Sequence, residues 1–369
     1  MERYEDAMRA ALALAERGWG RVSPNPMVGA VVLTSAGHVV GEGWHEGPGS
    51  AHAEAVALAA AGEGARGATI VVTLEPCDRW GRTPPCTEAL IAAGVARVIV
   101  AATDPNLGQD APGLRALRAA GIEVRVGLLE AEARRLNAAF EEHVRTGRPF
   151  VILKSAATLD GKTAAADGTS RWISSEGARA DAHRLRAWAD AVIVGSGTAL
   201  EDDPALTVRD EILGAARPPL RVLVDSTGRV PASGRLFDDA APTLVATTDH
   251  APEDRVKRWE AARADVAVLE HDSAGGVSLG ALLDHLGKRD VQGVLVEGGA
   301  TLAWSFVRDG LVDRVVLYIA PKLLGGAAAP GIVMGEGFSP VDEAMGLDFE
   351  RVEHVGPDLR VEADVHRDR

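Results

Sequence analysis

The only two cysteines of this 369-residue chain, Cys77 and Cys86, flank a polar loop, PCDRWGRTPPC. Upstream, His52-Ala53-Glu54 stands at the head of an Ala-rich stretch. One imidazole and two thiolates make three of the four ligands of tetrahedral zinc, and a position left open to water is the catalytic pattern, not the structural one. Zinc brings the pKa of a water ligand toward about 7, and a carboxyl such as Glu54 can carry its proton to a leaving amine. Hydrolytic deamination of an amidine-like ring carbon needs those two functions together.

The elements must then bring these residues to one point. Positions two apart on a helix face about 200° away from each other, so His52 and Glu54 can share only a site lying beyond the helix N-terminus. Cys77 should follow a strand end, and Cys86 should open the next helix after Pro84-Pro85, a favoured helix entry. Two helix N-termini would converge there, and their positive ends favour thiolates. The pattern predicts strands over 29–34, 69–76 and 97–102 and helices over 51–62, 86–94, 112–120 and, Arg-rich, 129–144. This alternation is that of an α/β layer.

A turn at Thr146-Gly147-Arg148-Pro149 precedes a new strand, FVILKSAATL, and marks a boundary between domains at 1–146 and 150–369. Further strands are expected near 191–194, 220–225, 243–247, 264–269, 293–296 and 313–319, with a final pair within 347–366. The turn Glu297-Gly298-Gly299-Ala300-Thr301 between a strand and a helix could offer backbone N–H groups to a dinucleotide phosphate. No GxGxxG follows the first strand of this half, which argues against an ordinary Rossmann domain. The segment beyond about 325 is Gly-rich and reads as mobile, with no chemistry to assign.

Composition narrows the function classes. Hydrophobic content of 46% and charged content of 25% are those of a globular protein. A formal net charge of −14 opposes non-specific binding to nucleic acid. No apolar run reaches the roughly 20 residues of a membrane span, and the first 18 residues read as an amphipathic helix without a secretory cleavage pattern. A cytoplasmic enzyme is expected, with no nucleic-acid or membrane partner.

His-Ala-Glu followed by Pro-Cys and a second Cys resembles the zinc nucleoside deaminase pattern, whose usual second spacing is Cys-x-x-Cys. The longer gap here, closed by GRTPPC, resembles the deaminase half of the bifunctional riboflavin-biosynthesis deaminase/reductases. Pro24-Asn25-Pro26-Met27-Val28-Gly29, Gly43-Trp44-His45 and Thr103-Asp104-Pro105-Asn106 extend the likeness. The resemblance implies a cytidine-deaminase-like three-layer α/β/α domain, with zinc held by His52, Cys77 and Cys86. It also implies Glu54 as the catalytic acid/base, and Asn25, His45, Arg82, Asp104 and Asn106 around the pyrimidine and ribose phosphate. Two residues after the first Cys that family usually carries His; this chain carries Arg79.

From 150 to about 320, Leu153-Lys154-Ser155-Ala156-Ala157-Thr158, Ser170-Arg171-Trp172, Gly195-Ser196-Gly197-Thr198 and Val296-Glu297-Gly298-Gly299 are similar to the reductase half of the same family. The resemblance implies a dihydrofolate-reductase-like α/β domain using NADPH. Cofactor contacts would come from Ala157, Trp172, Thr198, Asp202, Ser226 and the run Gly299, Ala300, Thr301, Leu302, Ala303, Trp304 and Ser305. Ser170, Arg186, Leu206, Arg209 and Glu297 would hold the ribose phosphate, the two arginines as bidentate grips. Lys154 and Asp202 are the candidates for polarising or protonating the reducible centre. The whole implies zinc-dependent deamination of a pyrimidine ribotide followed by reduction of its ribosyl chain, in a homo-oligomer. The alternative is a reductase whose zinc domain serves structure or oligomerisation only.

Overall fold

A computed structural model describes residues 2–80, 84–208 and 217–366. The chain forms two compact units, Met1–Thr146 and Gly147–Arg369.

In the first unit a five-stranded sheet has the order β2-β1-β3-β4-β5, with β1 Gly29–Leu33, β2 Val39–Trp44, β3 Thr69–Leu74, β4 Arg97–Ala102 and β5 Glu123–Val126. β1 is antiparallel to β2 and β3, whereas β3, β4 and β5 run parallel. Alternation along the strands sends side chains to two faces. Ala30, Val32, Ile70, Val72, Val98 and Val100 pack with Ala53 and Ala57 of α2 (Ala53–Ala61), Leu90 of α3 (Cys86–Ala93) and Leu114 and Leu117 of α4 (Pro112–Ala119). Val31, Leu33, Val71, Ile99 and Ala101 meet Tyr4, Met8 and Ala11 of α1 (Glu2–Ala15) on the other face. The result is three layers, α/β/α. Two glycines set how closely they approach. A Cβ at Gly29 would lie 2.0 Å from the carbonyl oxygen of Ala11, and one at Gly43 would lie 2.4 Å from that of Ala53. Gly43 therefore lets β2 lie directly on the start of α2, where the metal-ligating His is expected.

The Arg-rich segment is two helices, α5 Glu130–Leu136 and α6 Ala138–Thr146, where one continuous helix was expected. The break is at Asn137, a buried residue whose Oδ1 accepts from the Met27 N–H (2.8 Å) and whose Nδ2 donates to the Met27 carbonyl (2.9 Å). Satisfying a buried backbone segment outweighs continuing the helix.

The second unit holds a nine-stranded sheet of order β10-β9-β8-β7-β11-β6-β12-β14-β13. Its strands are β6 Phe150–Thr158, β7 Ala191–Gly195, β8 Leu220–Val224, β9 Thr243–Thr247, β10 Asp265–Val268, β11 Gly293–Val296, β12 Arg314–Ala320, β13 Leu347–Val355 and β14 Asp358–Val365. From β10 to β12 every neighbouring pair is parallel; β14 and β13 add an antiparallel edge. Continuous apolar runs such as AVIV and GVLV, buried along their length, are what parallel strands covered on both faces require. Among the described residues its α-helices are α7 Glu176–Trp188, α8 Ser196–Asp202, α9 Glu253–Ala261, α10 Leu279–Gly287 and α11 Ala300–Arg308. α10 supplies Leu279, Leu282, Leu283 and Leu286 to the core, and α11 supplies Ala303 and Phe306.

Candidate active sites

His52 occupies the N-cap position of α2, in extended backbone conformation, and Cys86 is the first residue of α3 after its cap Pro85. Cys77 lies in the loop after β3 and is fastened to α3: its carbonyl accepts from the Thr87 N–H (3.2 Å), and the Thr87 hydroxyl donates to Asp78 Oδ1 (2.6 Å). His52 Nδ1 then stands 3.3 Å from Cys86 Sγ and 3.5 Å from Cys77 Sγ. Zinc at ordinary Zn–N and Zn–S lengths in a tetrahedron separates its N and S ligands by about 3.6 Å, so both N···S separations suit that ion, and all three donor atoms lie within 4.8 Å of one another.

The hydrogen bond from Cys86 draws the Cys77 pKa down to about 4, with His52 contributing, while the same bond and burial hold Cys86 protonated. Glu54, in the first turn of α2, is fully buried against this cluster, and burial raises its carboxyl above the usual range.

Around the cluster, His45 is buried with its ring 5.6 Å from that of His52. Asn25 Nδ2 lies 2.9 Å from His45 Nε2, and His45 Nδ1 lies 3.2 Å from the carbonyl of Ala51. An Asn donor on Nε2 leaves the ring proton on Nδ1, directed at Ala51. Asp104 caps the 3-10 turn Pro105–Asp110 by accepting from the Asn106 N–H (2.9 Å). Burial raises its pKa, and the charges of Arg79 and Cys77 act on it in opposite senses. The expected residues Asn25, His45 and His52 are thus in one cluster, and Asp104 carries the charge influence of Cys77. Arg82 lies outside the described residues.

In the second unit a cavity of about 860 Å³ opens beyond the carboxyl ends of β6, β7 and β11, the usual ligand position of parallel sheets. Its buried charge is Glu297, directly after β11. Arg186 of α7 grips it in a fork, Nε to Oε1 at 2.5 Å and Nη2 to Oε2 at 2.9 Å, and Lys154 Nζ of β6 stands 3.6 Å from Oε2. Burial alone would raise the Glu297 pKa, but the two cations outweigh it and hold it at about 2. Lys154 Nζ also lies 5.9 Å from the centre of the Tyr318 ring, whose hydroxyl donates to Asp181 (2.6 Å).

Ser170, Trp172, Thr198, Asp202, Leu206, Gly299, Ala300 and Thr301 line this cavity with Lys154, Arg186 and Glu297. The Gly299 N–H donates to Thr198 Oγ1 (2.9 Å), joining the starts of α8 and α11 at one rim. Ala157, Ser226, Leu302, Ala303, Trp304 and Ser305 are not among its lining residues, and Ala303 belongs to the core under α11. Arg209 lies outside the described residues. Arg186, expected as a phosphate grip, forks onto Glu297 and donates from Nη1 to the carbonyl of Thr207 (3.3 Å), three of its five N–H donors.

Several wall residues carry no motif. Tyr318 is one, and Pro330, Ile332 and Met334 of the Gly-rich segment are others. That segment is pinned rather than loose: Thr163 N–H donates to Pro330, Lys162 Nζ to Ala329, and Met334 N–H to Ala300. Pairing through backbone carbonyls leaves no residue pattern to read.

A metal triad on an α/β/α layer and a charged cavity at the ends of a parallel sheet define a two-unit enzyme, a zinc deaminase joined to a reductase. Residues 1–102 match the cytidine and deoxycytidylate deaminase zinc-binding region, and residues 149–361 match the RibD C-terminal domain. The riboflavin biosynthesis protein RibD of Escherichia coli K12 is 44% identical over 362 residues, covering 95% of this chain and 96% of that protein. The solved structure of Acinetobacter baumannii RibD, form 1, superposes with a TM-score of 0.86 at 35% identity, over 99% of each chain. A diaminohydroxyphosphoribosylaminopyrimidine deaminase/5-amino-6-(5-phosphoribosylamino)uracil reductase from Thermotoga maritima does so with 0.85 at 36%, also over 99% of each. The chain belongs to the RibD family, the bifunctional deaminase/reductases of riboflavin biosynthesis.

Proposed function

We propose that residues 1–146 deaminate 2,5-diamino-6-ribosylamino-4(3H)-pyrimidinone 5′-phosphate and that residues 150–369 reduce the ribosyl chain of the product, giving 5-amino-6-ribitylaminouracil 5′-phosphate. The observation that carries the first half is Glu54: a buried carboxyl against three metal donors serves proton transfer and would be superfluous in a structural zinc site. His52, Cys77 and Cys86 would hold zinc, which would supply Lewis acidity toward water. Glu54 is placed to carry a proton from water to the departing amine, and the balance is water and amino substrate to oxo product and ammonia. Asn25 and His45, fixed by their mutual hydrogen bond, would orient the pyrimidine, and Asp104, whose Oδ1 holds the Asn106 N–H, and Asn106 would bind the ribotide beside them.

In the second unit the reduction requires the ribosyl ring opened to its imine, so that hydride at the anomeric carbon and a proton on the adjacent nitrogen give the ribitylamino chain. NADPH would be the hydride source, and this chain's residues must place the proton. Lys154 is the better-placed donor of the two candidates: it faces the cavity beside the buried Glu297–Arg186 pair, whereas Asp202 is about half exposed and 4.0 Å from Arg171. Thr198, Trp172 and the Gly299–Thr301 turn, all lining the cavity, would hold the cofactor, and Ser170 and Leu206 the sugar phosphate.

We infer the cytoplasm as the compartment, since a reducing milieu keeps Cys77 and Cys86 as thiols. A homo-oligomer is supported by the edge strand β13, where Leu347, Phe349 and Val352 are exposed. The direct experiment is ammonia release from the diaminopyrimidinone ribotide without NADPH, on protein of quantified zinc content, followed by NADPH oxidation on the deaminated product. Ammonia at one zinc per chain is expected. Zinc without ammonia would leave only the reductase reading.

A further inference from the structure

We propose a second metal site, in the Gly147–Arg369 unit, formed by His250, His271 and Asp249 and suited to a borderline transition-metal dication such as Zn²⁺ or Ni²⁺. β9 and β10 are parallel neighbours in register, with Thr247 opposite Val268. His250 and His271 each lie three residues beyond that pair (247 to 250, 268 to 271), so equal runs of chain bring them side by side. Their rings are stacked, with centroids 5.4 Å apart and planes inclined by 16°. Asp249 Oδ1 stands 3.8 Å from His250 Nε2, and one donor atom from each of the three residues lies within 4.8 Å of the other two.

The backbone carrying these side chains is fixed. Thr248 Oγ1 donates to the carbonyl of Ser226 (2.8 Å) and accepts from the His250 N–H (3.2 Å). On the other strand Leu269 N–H donates to Thr247 (2.8 Å), His271 forms a bridge with Val277, and Asp272 accepts from the Gly276 N–H (2.7 Å) while paired with Arg308. A tetrahedral ion needs nitrogen donors about 3.3 Å apart; the near-parallel rings aim their in-plane lone pairs side by side, so binding requires the exposed rings to swing out of the stack until both point at the ion. Two imidazoles and one carboxylate favour zinc or nickel over magnesium or calcium, which prefer all-oxygen shells. All three residues are exposed, so the remaining positions stay open to water or to a donor from another molecule.

The test counts metal on the full chain. Equilibrated against chelator-buffered zinc, the protein should take up one ion tightly and a second at higher free zinc; nickel should compete for the second. The double variant His250→Ala/His271→Ala should bind the second ion at least about tenfold more weakly, keeping the first ion and ammonia release unchanged. Cys86→Ser protein should retain only the weaker ion, which separates failure of this proposal from failure of the deaminase zinc reading. The proposal is overturned if wild-type protein never exceeds one zinc per chain, or if the double variant holds a second ion as tightly as wild type.

Discussion

Glu54 and Cys86 separate two ways of losing the deaminase. Glu54→Gln keeps the shape and the metal donors but removes the proton carrier, so ammonia release should fall by about 10²-fold or more at unchanged zinc content, with NADPH oxidation on deaminated substrate untouched. Loss of both activities together would refute two separate sites. Cys86→Ser should instead strip the zinc, measured by metal analysis; full retention would remove Cys86 from the ligand set. In the reductase, Lys154→Met should slow NADPH oxidation by roughly 10²–10⁴-fold, with Asp202→Asn well short of that, and the reverse order would transfer the proton to Asp202. The metal triad was legible because zinc chemistry admits few residue types and they stand in short motifs. The fork between Arg186 and Glu297 was not, since its partners lie 111 positions apart and each alone reads as an ordinary charged residue.

At the scale of elements, one side chain, Asn137, ties the junction of α5 and α6 to Met27. Asn137→Ala leaves the N–H and carbonyl of Met27 buried without partners, at a cost of about 2–4 kcal/mol. A denaturant melt should show it, and a change below about 1 kcal/mol would mean the Met27 groups find other partners. Periodicity could not reveal this break, because an Asn inside an Arg-rich helical pattern is unremarkable until its partner is known. The tie between α7 and the end of β11 carries a pH dependence. Glu297 has its pKa lowered from an ordinary 4.5 to about 2. Its contribution to stability is therefore complete above about pH 4.5 and fades as pH falls toward 2. Glu297→Gln should flatten that part of the stability profile, and an unchanged slope would place the acid sensitivity elsewhere.

For the whole molecule, the alternation of strands and helices in both halves was legible from β-branched runs and Ala-rich stretches, and most strand boundaries agree to within two residues. The short strands β2 and β5 were missed: β2 is interrupted by glycines that serve packing on α2, and β5 is a four-residue, largely exposed strand with alternating charges, EVRV. The exposed apolar side chains of β13 predict association at this scale. Phe349→Glu should lower the mass seen by light scattering, and an unaltered mass would place any contact on another surface.

The strand order of the second sheet also bears on synthesis. β6, the first strand of its unit to leave the ribosome, has as neighbours β11 and β12, which begin at Gly293 and Arg314. Both sides of this inner strand stay open until most of the remaining chain has been made, and such long-range pairing is slow and prone to aggregation. The first sheet is complete by Val126. Translation thus delivers a finished deaminase sheet well before the reductase sheet can close, and the nascent chain spends that interval with the apolar start of β6, FVIL, unpaired on both sides.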